Sequence, residues 1–133
     1  MWGASKIGTP LDVPLLARSL AFAVIALVGG GVALAGDLEF KRARTTVNPF
    51  KPQNASALVT SGVFRFTRNP MYLGLLLVVV GWCFFLCSAI ALLGPVAFVA
   101  YISRFQIRPE ERALLSKFGP SYSDYLARVR RWL

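Results

Sequence analysis

The chain contains no histidine, so imidazole bases and histidine metal sites are excluded. What remains for chemistry is arginine, carboxylate, tyrosine and thiol, and two stretches concentrate them. The first is Phe64-Arg65-Phe66-Thr67-Arg68-Asn69-Pro70-Met71-Tyr72-Leu73-Gly74. Asn69 suits a helix N-cap and Pro70 a first helical position, so a well-made helix start flanked by Arg68 accounts for two of its residues. It gives no reason for Tyr72, nor for Gly74 and Gly81, seven positions apart on one helix face. Two such glycines mean that a partner helix, or a bound ligand, comes close to the backbone. The second stretch is Arg104-x-x-x-Arg108-Pro109-Glu110-Glu111. Pro109 is tolerated in a first helical turn, and the two glutamates then set negative charge against the positive helix end. A stabilised helix start among basic neighbours is the plain alternative to a binding role. Cys83 and Cys87 lie four apart in apolar surroundings and read as small core residues. Two cysteines make no disulfide framework.

The elements that must position these residues are apolar. The chain has 133 residues, a formal charge of +9, 56% hydrophobic residues and only 16% charged ones. That excludes a disordered basic tail, which is poor in apolar residues, and departs from an ordinary soluble domain, about a quarter charged. An integral membrane protein with basic water-facing ends fits. Ser19 to Gly36 is 18 residues without a charge, enough for a transmembrane helix, with Arg18 able to reach the interface along its aliphatic stem. Gly29, Gly30 and Gly31 invite close helix approach. A signal peptide cut near Ala33-Leu34-Ala35 is the rival reading of this segment. Met71 to Ser103 is 33 residues without a charge; as one helix it would be about 50 Å long against a hydrocarbon core of about 30 Å. It must fold back, with the turn expected at Cys87-Ser88 and a second possible break at Gly94-Pro95.

The expectation is an all-α integral membrane protein, a single domain over 1–133, with three transmembrane helices: a first span over 14–36, then a tight hairpin of spans 70–87 and 88–106. Lys41, Arg42, Arg44, Lys51, Arg65 and Arg68 precede the hairpin, and Arg104, Arg108, Arg112, Lys117, Arg128, Arg130 and Arg131 follow it, leaving 2 of the 15 basic residues elsewhere. The positive-inside rule then puts segment 37–68 and the C-terminus in the cytoplasm; a cleaved signal peptide would reverse that. The apolar and basic residues of 37–68 suit a membrane surface better than a nucleic acid. Short interfacial helices are expected over 109–132: one carrying Leu114, Leu115 and Phe118 and ended by Gly119-Pro120, the next from Ser121 to Trp132 with Tyr122, Tyr125, Leu126 and Val129 at helical spacing. Arg128, Arg130, Arg131 and Trp132 suit an interfacial anchor.

Strung together, Arg44-x-Thr46-x-x-Pro49, Leu58-Val59-Thr60-x-Gly62, Arg68-Asn69-Pro70-x-Tyr72-x-Gly74, an apolar hairpin, Glu110-Glu111-x-x-Leu114 and Phe118-Gly119-x-x-Tyr122-x-x-Tyr125 resemble the isoprenylcysteine carboxyl methyltransferase and phospholipid methyltransferase superfamily, in its short bacterial form. The resemblance covers about residues 40 to 132. The family usually has Arg-His-Pro where this chain has Arg68-Asn69-Pro70, and its longer members carry extra N-terminal spans, whose part in a substrate chamber is here absent or supplied by a second copy. The resemblance implies S-adenosylmethionine-dependent methyl transfer to a lipid or other amphiphile at the cytoplasmic face of a bacterial inner membrane. It implies a cofactor site drawn from Arg68, Asn69, Pro70, Tyr72, Gly74, Glu110, Glu111 and Tyr122. Glu110 and a basic residue shortly before it, Arg104 or Arg108, would act on the reaction. No metal is implied.

The residue chemistry suits that ligand. Arginine grips a carboxylate bidentately, a glutamate accepts from an ammonium or a ribose hydroxyl, and a tyrosine ring faces a cation. Methyl transfer needs positioning in a dry site more than a strong base. Two other readings remain: a non-catalytic helix-packing membrane subunit, and a sterol-reductase-like membrane enzyme.

Overall fold

The computed structural model describes residues 13–43 and 58–133. The motif residues Arg44, Thr46 and Pro49, and Lys51, lie outside these. The described residues form helices and connecting turns, with no strand among them. Helix α1 covers Leu15–Arg42 and α2 covers Pro70–Leu86. After a 3-10 turn at Ala89–Leu92 come α3, Leu93–Ile102, a π-helical turn at Ser103–Ile107, and α4, Arg108–Phe118. The last helix, α5, is Pro120–Arg128.

Helices α1 and α2 lie antiparallel, and glycine sets their separation. A Cβ built on Gly29 would stand 2.6 Å from the carbonyl oxygen of Gly74, and one built on Gly74 would collide with the oxygen of Gly29. One on Gly36 would be 2.7 Å from Pro70, and one on Gly81 would be 3.2 Å from Phe22. The glycine face of α2 therefore receives a partner helix, not a ligand. On α1 only Gly29 of the three consecutive glycines does this; Gly30 and Gly31 have nothing within 4 Å. Near the other end of the pair, Arg18 donates through Nε to the carbonyl of Phe85 and lies 5.3 Å from that ring's centre. Its cation serves the last turn of α2, whose carbonyls have no intrahelical donor.

The turn between the apolar helices falls at Cys87-Ser88. Cys87 adopts the left-handed conformation that ends α2, with φ 48°. Both cysteines are free and buried, and the Cys83 thiol donates to the carbonyl of Ala91 at 3.0 Å. Pro95 makes no break, because it sits in the first turn of α3, where a missing donor is harmless.

Three expected boundaries are corrected. The first helix does not stop near Gly36 but runs to Arg42. The Lys41–Asp37 pair at 2.6 Å and the Arg42–Glu39 pair at 2.7 Å hold its last turn, and both cations suit a helix C-terminus. The helix expected from 109 is α4, beginning at Arg108, but it is not set apart from the span before it. Helical structure runs unbroken over Ala89–Phe118, 30 residues. In a regular α-helix the ring of Pro109 would meet the carbonyl of Phe105; the wide π turn at Ser103–Ile107 precedes it and lets the helix continue. The closing helix ends at Arg128 rather than Trp132.

Two helical stretches, Leu15–Arg42 and Ala89–Phe118, are long and apolar enough to cross a membrane; Pro70–Leu86 is apolar but only 17 residues long. At the end of the bundle where α1 finishes, a small apolar core forms from Val59, Phe64, Tyr122 and Tyr125, packed by Phe40, Leu114 and Phe118. Gly119, at φ 57°, makes the corner that turns α5 back onto it. The phenol of Tyr125 donates to the carbonyl of Phe64 at 2.7 Å.

Candidate functional site

Pro70 begins α2 and is fully buried against Gly36. With Pro70 and Gly74 turned toward α1, Tyr72 points to another side of the helix. Its hydroxyl donates to Oε1 of Glu110 at 2.5 Å. The π turn advances the helix register just before α4 and so helps decide which residues of α4 face α2. Glu111 follows, 3.3 Å from Nη1 of Arg68. The two chemistry-bearing stretches thus converge.

The last segment of the chain completes the cluster. After α5 the backbone is extended and returns to the turn before α2. The Arg68 amide donates to the carbonyl of Arg130 at 3.0 Å. Asn69 Nδ2 and Thr67 Oγ1 donate to the carbonyl of Arg131 at 3.0 and 3.3 Å. The Arg131 guanidinium takes Glu111 as a fork, Nε to Oε1 at 3.0 Å and Nη2 to Oε2 at 2.8 Å. Asn69 occupies the N-cap position, but its side chain does not cap the helix; it is spent on Arg131, and Thr67 Oγ1 accepts the Asn69 amide instead. Arg131, whose position in the sequence suits an interfacial anchor, thus pairs with Glu111 in this cluster.

The electrostatics are uneven. Burial raises the Glu110 carboxyl to about 7, Glu111 nearby adds to the rise, and the Tyr72 hydrogen bond opposes it. Burial likewise raises the Tyr122 phenol to about 12. The bond to Glu111 holds Arg131 more firmly protonated. Arg68 is 12% exposed and Glu111 17%, yet Arg68 Nε is buried with no hydrogen-bond partner among the described residues. Two guanidinium groups share one carboxylate.

Of the residues singled out in the sequence, the structure brings together Arg68, Asn69, Tyr72, Glu110 and Glu111. Tyr122 is buried beside them, within electrostatic reach of Glu111, Arg68 and Glu110. Pro70 and Gly74 serve the α1 contact. Arg104 and Arg108 are exposed; Arg104 lies 5.8 Å from the ring centre of Phe105, and neither joins the cluster. A separate open groove of about 440 Å³ is lined by Thr60, Ser61, Arg65, Tyr125, Arg128 and Val129. No group of three or more metal-binding side chains occurs among the described residues.

The sequence profile of the phospholipid methyltransferase family matches residues 17–121. An uncharacterized protein of Haemophilus influenzae is 48% identical over 63 residues, which is 47% of this chain and all of that one. Protein-S-isoprenylcysteine O-methyltransferase B of Arabidopsis thaliana is 39% identical over 75 residues, 54% of this chain and 36% of that protein. A probable protein-S-isoprenylcysteine O-methyltransferase of Oryza sativa subsp. indica is 31% identical over 113 residues, 83% of this chain and 58% of that one. The chain therefore spans well under two thirds of these plant relatives. No solved structure matches. The profile match takes in both converging stretches, from α1 through Glu110 and Glu111 into α5, and on it the chain belongs to the phospholipid methyltransferase family.

Proposed function

We propose that this protein transfers the methyl group of S-adenosylmethionine to a lipid or other amphiphilic acceptor at the cytoplasmic face of a membrane. The observation that carries the reading is the meeting of Tyr72 with Glu110 and of Arg68 with Glu111. The residues fit such a ligand on their own chemistry. Arg68 Nε lacks an acceptor, and the ligand's carboxylate is one. Glu110 has one oxygen engaged by Tyr72 and a second for an ammonium or a ribose hydroxyl. Tyr72 and Tyr122 offer ring faces to a sulfonium or an adenine.

When bound, the cofactor supplies an electrophilic methyl group on a positively charged sulfur. The protein's part is to hold the two reactants in line and exclude water, which accounts for much of the rate in such displacements. Arg68 orients the ligand's anionic end, and Glu110 its cationic end. A carboxylate acceptor needs no base. An amine or thiol must lose a proton before it attacks. Arg104 and Arg108, exposed along the same helical run, are placed to meet an anionic acceptor.

The layout that serves this chemistry has three spans. α1 and the Ala89–Ile107 run cross the bilayer, and α2 crosses beside α1. Leu92, Leu93, Val96, Tyr101 and Phe105 are more than half exposed, as suits side chains facing lipid. The basic ends lie in the cytoplasm. Isothermal calorimetry in detergent tests the reading: S-adenosylmethionine should bind, and Glu110→Ala and Arg68→Ala should each weaken it. No heat from folded protein at millimolar cofactor overturns it. In that event the open Gly30 and Gly31 and the exposed α3 favour a non-catalytic subunit whose partner helix covers them.

A further inference from the structure

Arg131 stands outside every motif that pointed to the site, yet each residue of the turn 67–69 is bonded to the Arg130-Arg131 backbone. Its side chain binds both oxygens of Glu111, one of which also faces Arg68. The charge balance gives this arrangement a meaning. Arg68 and Glu111 alone are a neutral pair with little residual attraction for an anion. With Arg131 added, two cations share Glu111, and Glu110, bonded to Tyr72 and only partly ionised near neutral pH, offsets them incompletely, so positive charge is left in a partly buried place. Arg68 Nε is the donor left without a partner. In surroundings of lowered polarity an unpaired charge is expensive, and a second carboxylate relieves it.

We infer that Arg131 is a positioning residue of the methyl-donor site: by neutralising Glu111 it frees Arg68 to hold the carboxylate of an amino-acid-bearing nucleoside. The segment 129–132 acts as a strap that fixes the 67–69 turn from one side while its guanidinium fixes Glu111 from the other. This rests on the cofactor reading above and adds to it the residue that sets the charge of the carboxylate subsite. Ligands without that carboxylate gain nothing from Arg131.

The test compares two ligands by calorimetry in detergent. S-adenosylhomocysteine keeps the carboxylate and does not react; 5′-methylthioadenosine lacks the amino-acid arm. Arg131→Ala should weaken S-adenosylhomocysteine about tenfold, the scale of a lost charge-assisted contact, and leave 5′-methylthioadenosine within twofold. Arg131→Lys, which keeps the charge but not the fork, should recover part of the loss. Hydrogen exchange of the Arg68 amide in the ligand-free protein reports the strap directly: protected in the parent, faster in Arg131→Ala. Equal weakening of both ligands, or of neither, overturns the inference while the cofactor reading stands. A parent protein that binds neither ligand overturns the cofactor reading, and the ligand-directed role of Arg131 falls with it.

Discussion

The phenol of Tyr72 donates to Oε1 of Glu110 across 38 residues of sequence, at 2.5 Å. This bond joins the first turn of α2 to the first turn of α4. It leaves the carboxyl half-buried between a hydroxyl donor and a second glutamate. Its protonation is therefore coupled to the fold. Burial raises the group from 4.5 to about 7, so between those values the folded state holds a proton that the unfolded chain has released. Stability must then fall as pH rises through that window and level off above it. The loss is on the order of 1 kcal/mol after allowance for solvent screening. Thermal melts in detergent from pH 4.5 to 8 should show this slope, and Glu110→Gln should flatten it. An unchanged slope in the variant would place the titration elsewhere.

The same group predicts a pH dependence of binding. An ammonium or sulfonium beside Glu110 favours the ionised carboxyl, so cofactor affinity should rise with pH across about 6 to 8. In Glu110→Gln the affinity should be lower and nearly flat with pH. Calorimetric Kd values at several pH values decide this, and buffers of differing ionisation enthalpy count the proton released.

Helix packing gives a prediction free of any ligand. A methyl group at Gly74 would meet the backbone oxygen of Gly29, and that atom cannot move aside as a flexible side-chain end can. Gly74→Ala should destabilise the protein by about 1–3 kcal/mol, the usual range for overpacking. Gly30→Ala and Gly31→Ala have open space and should be neutral within about 0.5 kcal/mol, as expected away from packed contacts. Denaturation in mixed micelles ranks the three.

These contrasts show what the sequence displays and what it hides. The apolar runs, the turn at Cys87-Ser88, the shared face of Gly74 and Gly81, and the convergence of the stretch carrying Arg68 and Tyr72 with the one carrying Glu110 and Glu111 all follow from composition, local pattern or the family's order of motifs; which of these side chains bond to one another does not. The length of α1 was obscured because charge marks the end of an apolar run, not the end of a helix; Asp37, Glu39, Lys41 and Arg42 extend it by pairing with one another or with Ser61. The π turn has no composition of its own. Arg131 was hidden for a different reason. Its backbone partners Thr67 and Asn69 lie 64 and 62 residues away, and a basic residue beside Trp132 looks the same whether it faces lipid or folds back. Asn69 suits a cap because asparagine commonly serves as one, and only the returning segment diverts its amide.

Tyr125 tests the small core that supports the site. Its buried hydroxyl bonds to the carbonyl of Phe64, four residues before Arg68. Tyr125→Phe leaves that carbonyl without this donor and should lower stability by about 1–2 kcal/mol. It should also weaken cofactor binding less than Arg68→Ala does, since the ring and its packing remain. A melting temperature and a Kd from the same preparation separate the two effects.

Arg104 and Arg108 supply the sharpest distinction between cofactor and acceptor. Both project from the helical run that carries Glu110, and both are exposed, away from the Arg68–Glu111–Arg131 cluster. If they act on the acceptor, Arg104→Ala and Arg108→Ala should leave S-adenosylhomocysteine affinity within about twofold, as expected for surface substitutions. One of them should nevertheless raise the KM for an anionic amphiphile, with a further dependence on ionic strength because an exposed charge is screened by salt. Arg68→Ala should show the reverse pattern, a weakened cofactor and a KM for the acceptor little changed. Measuring both constants for all three variants assigns each arginine to one substrate. A loss of cofactor affinity in Arg104→Ala or Arg108→Ala would instead mean that the π turn or α4 moves to bring that residue into the cluster when the ligand binds.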